Sequence, residues 1–130
     1  MKQTFKKGER LSSEKSIATL FAEGDSFFQY PFKVVYKKEQ STYPFSVQLL
    51  ISVSKRNFKK AVDRNKIKRL IREAYRLNKH LLYEGLAESK GSILLGFIYT
   101  AKTIPEFKEV ERKIILILQR LIKGDAKTAG

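Results

Sequence analysis

The pattern of apolar residues along this 130-residue chain predicts an α+β fold. It is expected to be a two-layer α/β sandwich in the order helix, strand, strand, helix, strand, helix. Three observations predict it. Apolar residues recur at helical spacing in three separated stretches. Two aromatic and β-branched stretches lie between the first and second of these, and one continuous apolar run of strand length lies between the second and third. The length suits one domain with a real core, and no repeat or Pro/Gly/Ser-rich linker divides it.

Taken in order, residues 1–12 form a basic, extended arm with Phe5 and Leu11 as possible anchors. Ser12 or Ser13 caps a helix over 14–23 that puts Ile17, Leu20 and Phe21 on one face and stops at Gly24. FFQYPFKVVYKK (27–38) reads as a strand interrupted or begun at Pro31. EQST (39–42) reads as a turn and YPFSVQLLISVS (43–54) as a second strand, the two strands forming a hairpin. A helix follows within 58–80. SILLGFIYTA (92–101) is apolar at nearly every position, the signature of a central strand buried on both faces. Thr103 and Glu106 have capping-box spacing, with Pro105 in the first turn of a last helix that runs to Lys123. Its apolar positions are Phe107, Val110, Ile114, Ile115, Ile117, Leu118, Leu121 and Ile122. One domain is thus expected over residues 1–123, including the basic arm, with 124–130 a disordered tail.

Charge singles out one of these elements. Between Ser54 and Lys79 stand eleven Lys or Arg residues and two acidic ones, Asp63 and Glu73, a local +9 out of the chain's +14. On a helical wheel, Arg64, Lys68, Lys79, Arg72, Asn65, Arg76 and Arg69 fall within about 140°. Leu77, Leu70, Ala74, Ile67 and Ile71 fill a separate arc of about 120°. A solvated face usually alternates Lys or Arg with Glu at i, i+4. Here Glu73 is the only carboxylate after Asp63 and lies outside the basic arc. One cationic stripe on a packed helix points to a polyanionic partner.

Catalytic constellations are missing from the sequence. The one histidine, His80, stands at the expected helix end with no Ser or Asp pattern near it, and reads as a capping or surface residue. The thirteen carboxylates are dispersed, and neither GDSF (24–27) nor KGDA (123–126) is a phosphate-cradling loop. No cysteine is present, no apolar run approaches a membrane span, and the start lacks the apolar region of a secretory signal. A cytoplasmic binder with no catalytic residues of its own is expected. Among the aromatics Phe21, Phe27, Phe28, Tyr30, Phe32 and Tyr36, core packing is the default and base stacking the alternative. Alternation puts Phe32, Val34 and Tyr36 on one face, and Lys33 and Val35 on the less core-like one. Tyr75 falls inside the basic arc, where it could stack on a base, support Arg72 and Arg76, or cover a boundary.

VSKRNFKKAVDRNKIKRLIREAYR (53–76) resembles the signature of the bacterial ribonuclease P protein subunit: an Arg-Asn pair followed by Lys-Arg and a further Arg on one helix. TLFAEG (19–24), FKVVY (32–36), SVSK (52–55) and the strand 92–101 fit in order, so the resemblance covers about residues 5–123. It implies a fold similar to the ribosomal-protein S5 domain 2-like folds, with an unusual left-handed crossover. It also implies a subunit that helps a catalytic RNA remove the 5′ leader of precursor tRNA. Chemistry would then belong to Mg2+ held mainly by the required RNA subunit; whether the protein itself binds metal is left open. The partners implied are ribonuclease P RNA and precursor tRNA, with no DNA, no membrane and no obligate protein partner.

Carried over residue by residue, the resemblance assigns Arg64, Asn65, Lys68, Arg69 and Arg72 to the catalytic RNA. Lys55 and Arg56 match the basic pair at the end of the preceding strand. Lys59, Lys60 and Arg76 complete the catalytic-RNA set, Lys59-Lys60 standing where part of the family has Gly-Asn. A leader-binding groove maps to Ile17, Phe21, Lys33 and Val35, with Ile17 where many members have an aromatic and Lys33 where an apolar residue is common. The main rival is a structural or ribosomal RNA-binding protein without a processing role. A DNA-binding regulator is disfavoured because Asn65 is the only good base-reading amide on the stripe. A metal-dependent nuclease acting alone would need the missing carboxylate cluster.

Overall fold

The computed structural model describes residues 11, 13–44, 46–88 and 90–124, with the backbone alone for 40–44 and 90. Among them are three helices, α1 (Glu14–Glu23), α2 (Ala61–Gly85) and α3 (Phe107–Lys123). Four strands accompany them: β1 (Asp25–Gln29), β2 (Phe32–Pro44), β3 (Ser46–Val53) and β4 (Lys90–Tyr99). The α+β class is as predicted, with one strand more. The expected strand 27–38 is two strands, because Pro31 offers no N–H to a ladder. Tyr30 and Pro31, joined by a cis peptide bond, turn the chain, and β1 pairs antiparallel with β2 from Asp25↔Tyr36 to Gln29↔Phe32.

The sheet order β1-β2-β4-β3 corrects the expected hairpin. Residues 39–42 continue β2 instead of turning, and β4 lies between β2 and β3, antiparallel to the first and parallel to the second. The reason is in β4 itself. Ile93, Leu94, Leu95, Gly96 and Phe97 are all buried, and only a strand flanked on both edges and covered on both faces hides every position.

One sheet face carries the main core. Phe32, Val34 and Tyr36 of β2, Ile93, Leu95, Phe97 and Tyr99 of β4, and Val47, Leu49 and Val53 of β3 pack with Ile67, Ile71 and Ala74 of α2 and Ile114, Ile117 and Leu118 of α3. Ring contacts run Phe58–Tyr99–Phe32–Phe97–Tyr75 at centroid separations of 5.6–6.2 Å, joining the segment before α2 to the middle of that helix through the sheet. On the opposite face, α1 covers a smaller cluster of Leu11, Leu20, Val35 and Leu94, with Ile17, Leu50 and Ile98 at its margin. The sandwich therefore has a partial extra layer. The Leu11 amide donates to the Leu49 carbonyl at 2.9 Å; residues 1–10, with Phe5, and the tail 125–130 lie outside the described residues.

The ends of α1 follow expectation. The Ser13 hydroxyl accepts from the Ser16 amide at 3.3 Å. A Cβ on Gly24 would lie 2.4 Å from the Leu20 carbonyl oxygen and 2.9 Å from that of Tyr36, so close approach of backbone requires glycine there. The capping box of α3 does not form: Glu106 occupies the cap position without a side-chain bond, so Thr103 and Pro105 both precede the helix. The Thr103 carbonyl accepts from the Tyr99 hydroxyl at 2.7 Å. Gly124 closes α3 in the left-handed region, φ 69°. Among the described residues no helix is long and apolar enough to cross a membrane.

Candidate nucleic-acid interface

The segment between β3 and α2 is a built loop. The Phe58 amide donates to the Ser54 carbonyl at 3.1 Å, and the Arg56 amide to the Ser54 hydroxyl at 2.9 Å. The Asn57 side chain reaches the Thr100 carbonyl at 3.4 Å. Phe58 is buried against Tyr99; it anchors the loop so that Lys55, Arg56, Lys59 and Lys60 all stay exposed. From the first turn of α2, Arg64 Nη1 donates to the Phe58 carbonyl at 2.8 Å and to the Lys59 carbonyl at 3.0 Å. Four cationic residues thus stand on the loop that leads into the N-terminus of α2, the positive end of its macrodipole.

Along α2 the expected stripe is present but narrower. Asn65 and Arg69 are exposed, and Arg64, Lys68, Arg72 and Arg76 are half-buried. Tyr75 is fully buried against Phe97 and Lys79 is 4% exposed, so neither belongs to the outer face. The buried side of α2 has turned toward the basic arc, leaving Leu70 and Leu77 only half-buried. The cause is that α2 meets the sheet and α3 together; Asn78, for example, donates to Glu111 of α3 at 3.0 Å. Lys66, unassigned from sequence, is exposed on the flank of the stripe, and its place beside Asn65 was the available signal.

Glu73 modifies the stripe. Its carboxylate accepts from Arg76 Nε at 3.1 Å and pairs with the Nη2 of the same guanidinium. The hydrogen bonds from Arg76 hold the Glu73 carboxyl below the usual carboxylate value and raise Arg76 above its own. Arg76 is thus already partly neutralised. His80 is half-buried within α2 and not at its end, because the helix runs on to Gly85; its Nδ1 has no hydrogen-bond partner among the described residues.

The strand register builds the second surface, on the α1 side of the sheet. Phe28, Lys33, Ile98 and Ser52 form one row across β1, β2, β4 and β3, and Ser26, Val35, Gly96 and Leu50 form the next. A Cβ on Gly96 would touch Leu20 of α1 at 3.5 Å, so α1 sits over the second row and leaves the first open. Phe28 is 55% exposed and Phe21 of α1 50%, and Lys33 is exposed between Phe28 and Ile98. Of the expected groove residues, Lys33 lies in the open row, a trough beside α1, and Phe21 is exposed on α1, the helix that covers the neighbouring row. Ile17 packs half-buried at the margin of the small core under α1, while Val35 is 4% exposed and belongs to that core. From sequence Phe28 reads only as one of the aromatics; its pairing with Lys33 brings it here.

The trough and the basic stripe lie on opposite faces of the sheet and meet at one end. The open row ends at Ser52, two residues before the Ser54–Lys60 loop, at the end where β3 and β4 both terminate. Among the described residues, no three His, Cys, Asp or Glu side chains converge into a donor set for a metal. The fold and its two surfaces, one cationic and one aromatic, define a small basic domain suited to hold an extended polyanion.

The chain belongs to the ribonuclease P protein family: the family model, ribonuclease P, matches residues 5–121. It is 42% identical over 115 residues to the ribonuclease P protein component of Porphyromonas gingivalis, covering 88% of this chain and 84% of that one. It is 36% identical over 128 residues to the corresponding component of Thermotoga maritima, covering 95% and 100%. Among solved structures, the RNase P protein from Thermotoga maritima superposes with a TM-score of 0.67 at 30% identity, covering 86% of this chain and 96% of that one. The RNase P protein of Staphylococcus aureus superposes with a TM-score of 0.65 at 22% identity, covering 92% and 97%, a likeness of fold.

Proposed function

We propose that this chain is the protein subunit of a cytoplasmic ribonuclease P ribonucleoprotein and promotes removal of the 5′ leader from precursor tRNA. Lys55, Arg56, Lys59, Lys60, Arg64, Asn65, Lys68, Arg69, Arg72 and Arg76 dock on phosphates of the catalytic RNA. Phe21, Phe28, Lys33 and Ile17 hold the unpaired leader. The observation that carries the reading is that the aromatic trough opens onto the end of the cationic loop, so one RNA surface and one single strand can be held side by side.

The roles of the side chains follow from their chemistry. Lys and Arg on one face neutralise phosphates and position the partner without reading sequence. Arg69 and Arg72 can each grip a phosphate with two donors, which a lysine cannot. In the trough, Phe21 and Phe28 offer faces to unstacked bases of any identity, and Lys33 meets the backbone between them. The described residues offer no carboxylate cluster for Mg2+, and in this reading magnesium and bond cleavage belong to the RNA. The protein contributes binding and orientation.

Two measurements test the docking. Captured from cells as the tagged full chain, the protein should bring down ribonuclease P RNA; enrichment of ribosomal RNA in its place would support the structural-protein rival. Its affinity for that RNA should fall with salt at a log–log slope of several units if about six of the charges meet phosphates. A slope near zero would rule out the phosphate docking.

A further inference from the structure

A cavity of about 310 Å3 lies beyond the trough, on the α3 side of the sheet, walled by Tyr30, Pro31, Tyr99, Ala101, Thr103, Pro105, Glu109, Val110 and Lys113. Its size is within the range of about 300–1,000 Å3 occupied by small-molecule sites. Two sets of bonds fix its walls. The Pro31 carbonyl accepts from the Thr100 amide at 2.8 Å and from the Thr100 hydroxyl at 2.7 Å, which clamps the β1–β2 turn to the end of β4. The Tyr99 hydroxyl donates to the Thr103 carbonyl, which holds the β4–α3 connection over the opening. Burial, and secondarily the neighbouring Tyr30 phenol, pushes the Tyr99 hydroxyl up, so it stays a neutral hydrogen-bonding group at ordinary pH.

Three features say what could enter. Tyr30 is 62% exposed although it is a large ring, and with Pro31 and Pro105 it presents flat apolar surface at the cavity. Its ring lies 6.1 Å from that of Phe28, the aromatic at the edge of the trough, so the two surfaces are continuous. The rim charge is positive: both Glu109 carboxylate oxygens are taken by Arg112 at 2.8 and 2.7 Å. Lys113 has no carboxylate partner among the described residues. Flat apolar walls, a few polar groups and a free ammonium suit a nucleobase with its phosphate.

We infer that this cavity receives one unstacked nucleotide of the single strand lying in the trough, with its base against Tyr30 and its phosphate at Lys113. The inference rests on the leader-holding role proposed above. It extends that strand over the Phe28–Tyr30 edge, from one sheet face to the other.

The test is a titration of the isotopically labelled full chain with adenosine 5′-monophosphate, followed by amide NMR in the low-millimolar range, with adenosine and inorganic phosphate as parallel probes. Saturable shifts at Tyr30, Ala101, Thr103 and Lys113 with the nucleotide, and none there with inorganic phosphate, are expected. Tyr30→Ala should weaken that binding by roughly tenfold, the loss of one stacked base, and Tyr30→Phe should restore it. Lys113→Gln should bring the affinity for the nucleotide down to that for adenosine. Shifts confined to α2 and the 54–60 loop, shifts indifferent to Tyr30→Ala, or a proline-rich peptide moving these signals where the nucleotide does not would each overturn the inference. Affinity for ribonuclease P RNA, measured on the same samples, judges the docking proposal separately. It should be unchanged by Tyr30→Ala, and its absence in the unsubstituted chain would defeat the docking proposal whatever the nucleotide does.

Discussion

Arg64 and Phe58 are joined by a 2.8 Å hydrogen bond from guanidinium to main-chain carbonyl, and this contact sets the shape of the cationic surface. The same nitrogen also reaches the Lys59 carbonyl, so the loop bearing Lys55, Arg56, Lys59 and Lys60 is fastened to the helix bearing the stripe. Arg64 is therefore a positioning residue as well as a charge. Arg64→Lys keeps the charge but loses the planar fork, and should weaken affinity for ribonuclease P RNA roughly tenfold, with about 1 kcal/mol of stability lost with the bonds. Arg69→Lys, at an exposed position, should cost affinity without stability. Filter binding and urea unfolding on both variants check this; equal stability losses would remove the positioning role.

Glu73 restrains the stripe by occupying Arg76. Glu73→Gln should raise RNA affinity and steepen the log–log salt slope by up to about one unit, with little change in stability because the pair lies at the surface, only partly screened from solvent. The sign of its pH dependence follows from its lowered carboxyl. Whatever the pair adds to stability is present above the ordinary value of 4.5 and lost as pH falls through the depressed folded value. Comparing acid unfolding of Glu73→Gln with that of the unsubstituted chain isolates this contribution.

Phe21 is half-exposed on α1, and the proposed function gives it to the leader and not to the catalytic RNA. Phe21→Ala should weaken binding of precursor tRNA by about 1–3 kcal/mol while leaving affinity for mature tRNA and for the catalytic RNA unchanged. Equal losses for precursor and mature tRNA would place the effect outside the leader.

Tyr75 separates core from interface. Fully buried and edge-on to Phe97, it should behave as a core residue despite its position inside the basic arc. Tyr75→Ala should destabilise the fold by about 3–5 kcal/mol, seen as a shifted urea midpoint, whereas a stacking role would lower RNA affinity in a chain of normal stability.

The helices and the central strand were legible because each rests on a local pattern: the Ser13 cap and Gly24 stop of α1, the unbroken apolar run of β4, the apolar stripe of α3. Pairing was not legible. Whether β2 meets β3 or β4 is decided by which strand must be covered on both edges, a property of the whole sheet. The stripe's composition could be read from charge alone, but its width could not, since Tyr75 and Lys79 are drawn inside by a helix packed on two sides. The capping box before α3 does not form because the helix begins at Phe107, with Glu106 and not Thr103 in the cap position. Phe21 and Lys33 are assigned to the leader groove by resemblance; the place of Phe28 beside Lys33 needs the register.

The most direct test of the proposed division of labour is reconstitution. Purified full chain, a bacterial ribonuclease P RNA and precursor tRNA are combined at low magnesium, and 5′ cleavage is followed with each component left out in turn. Cleavage should need the RNA, be stimulated by the protein, and be stimulated more strongly for precursors with a leader long enough to fill the trough. Cleavage by the protein without the RNA, or no stimulation by a folded chain, would contradict it.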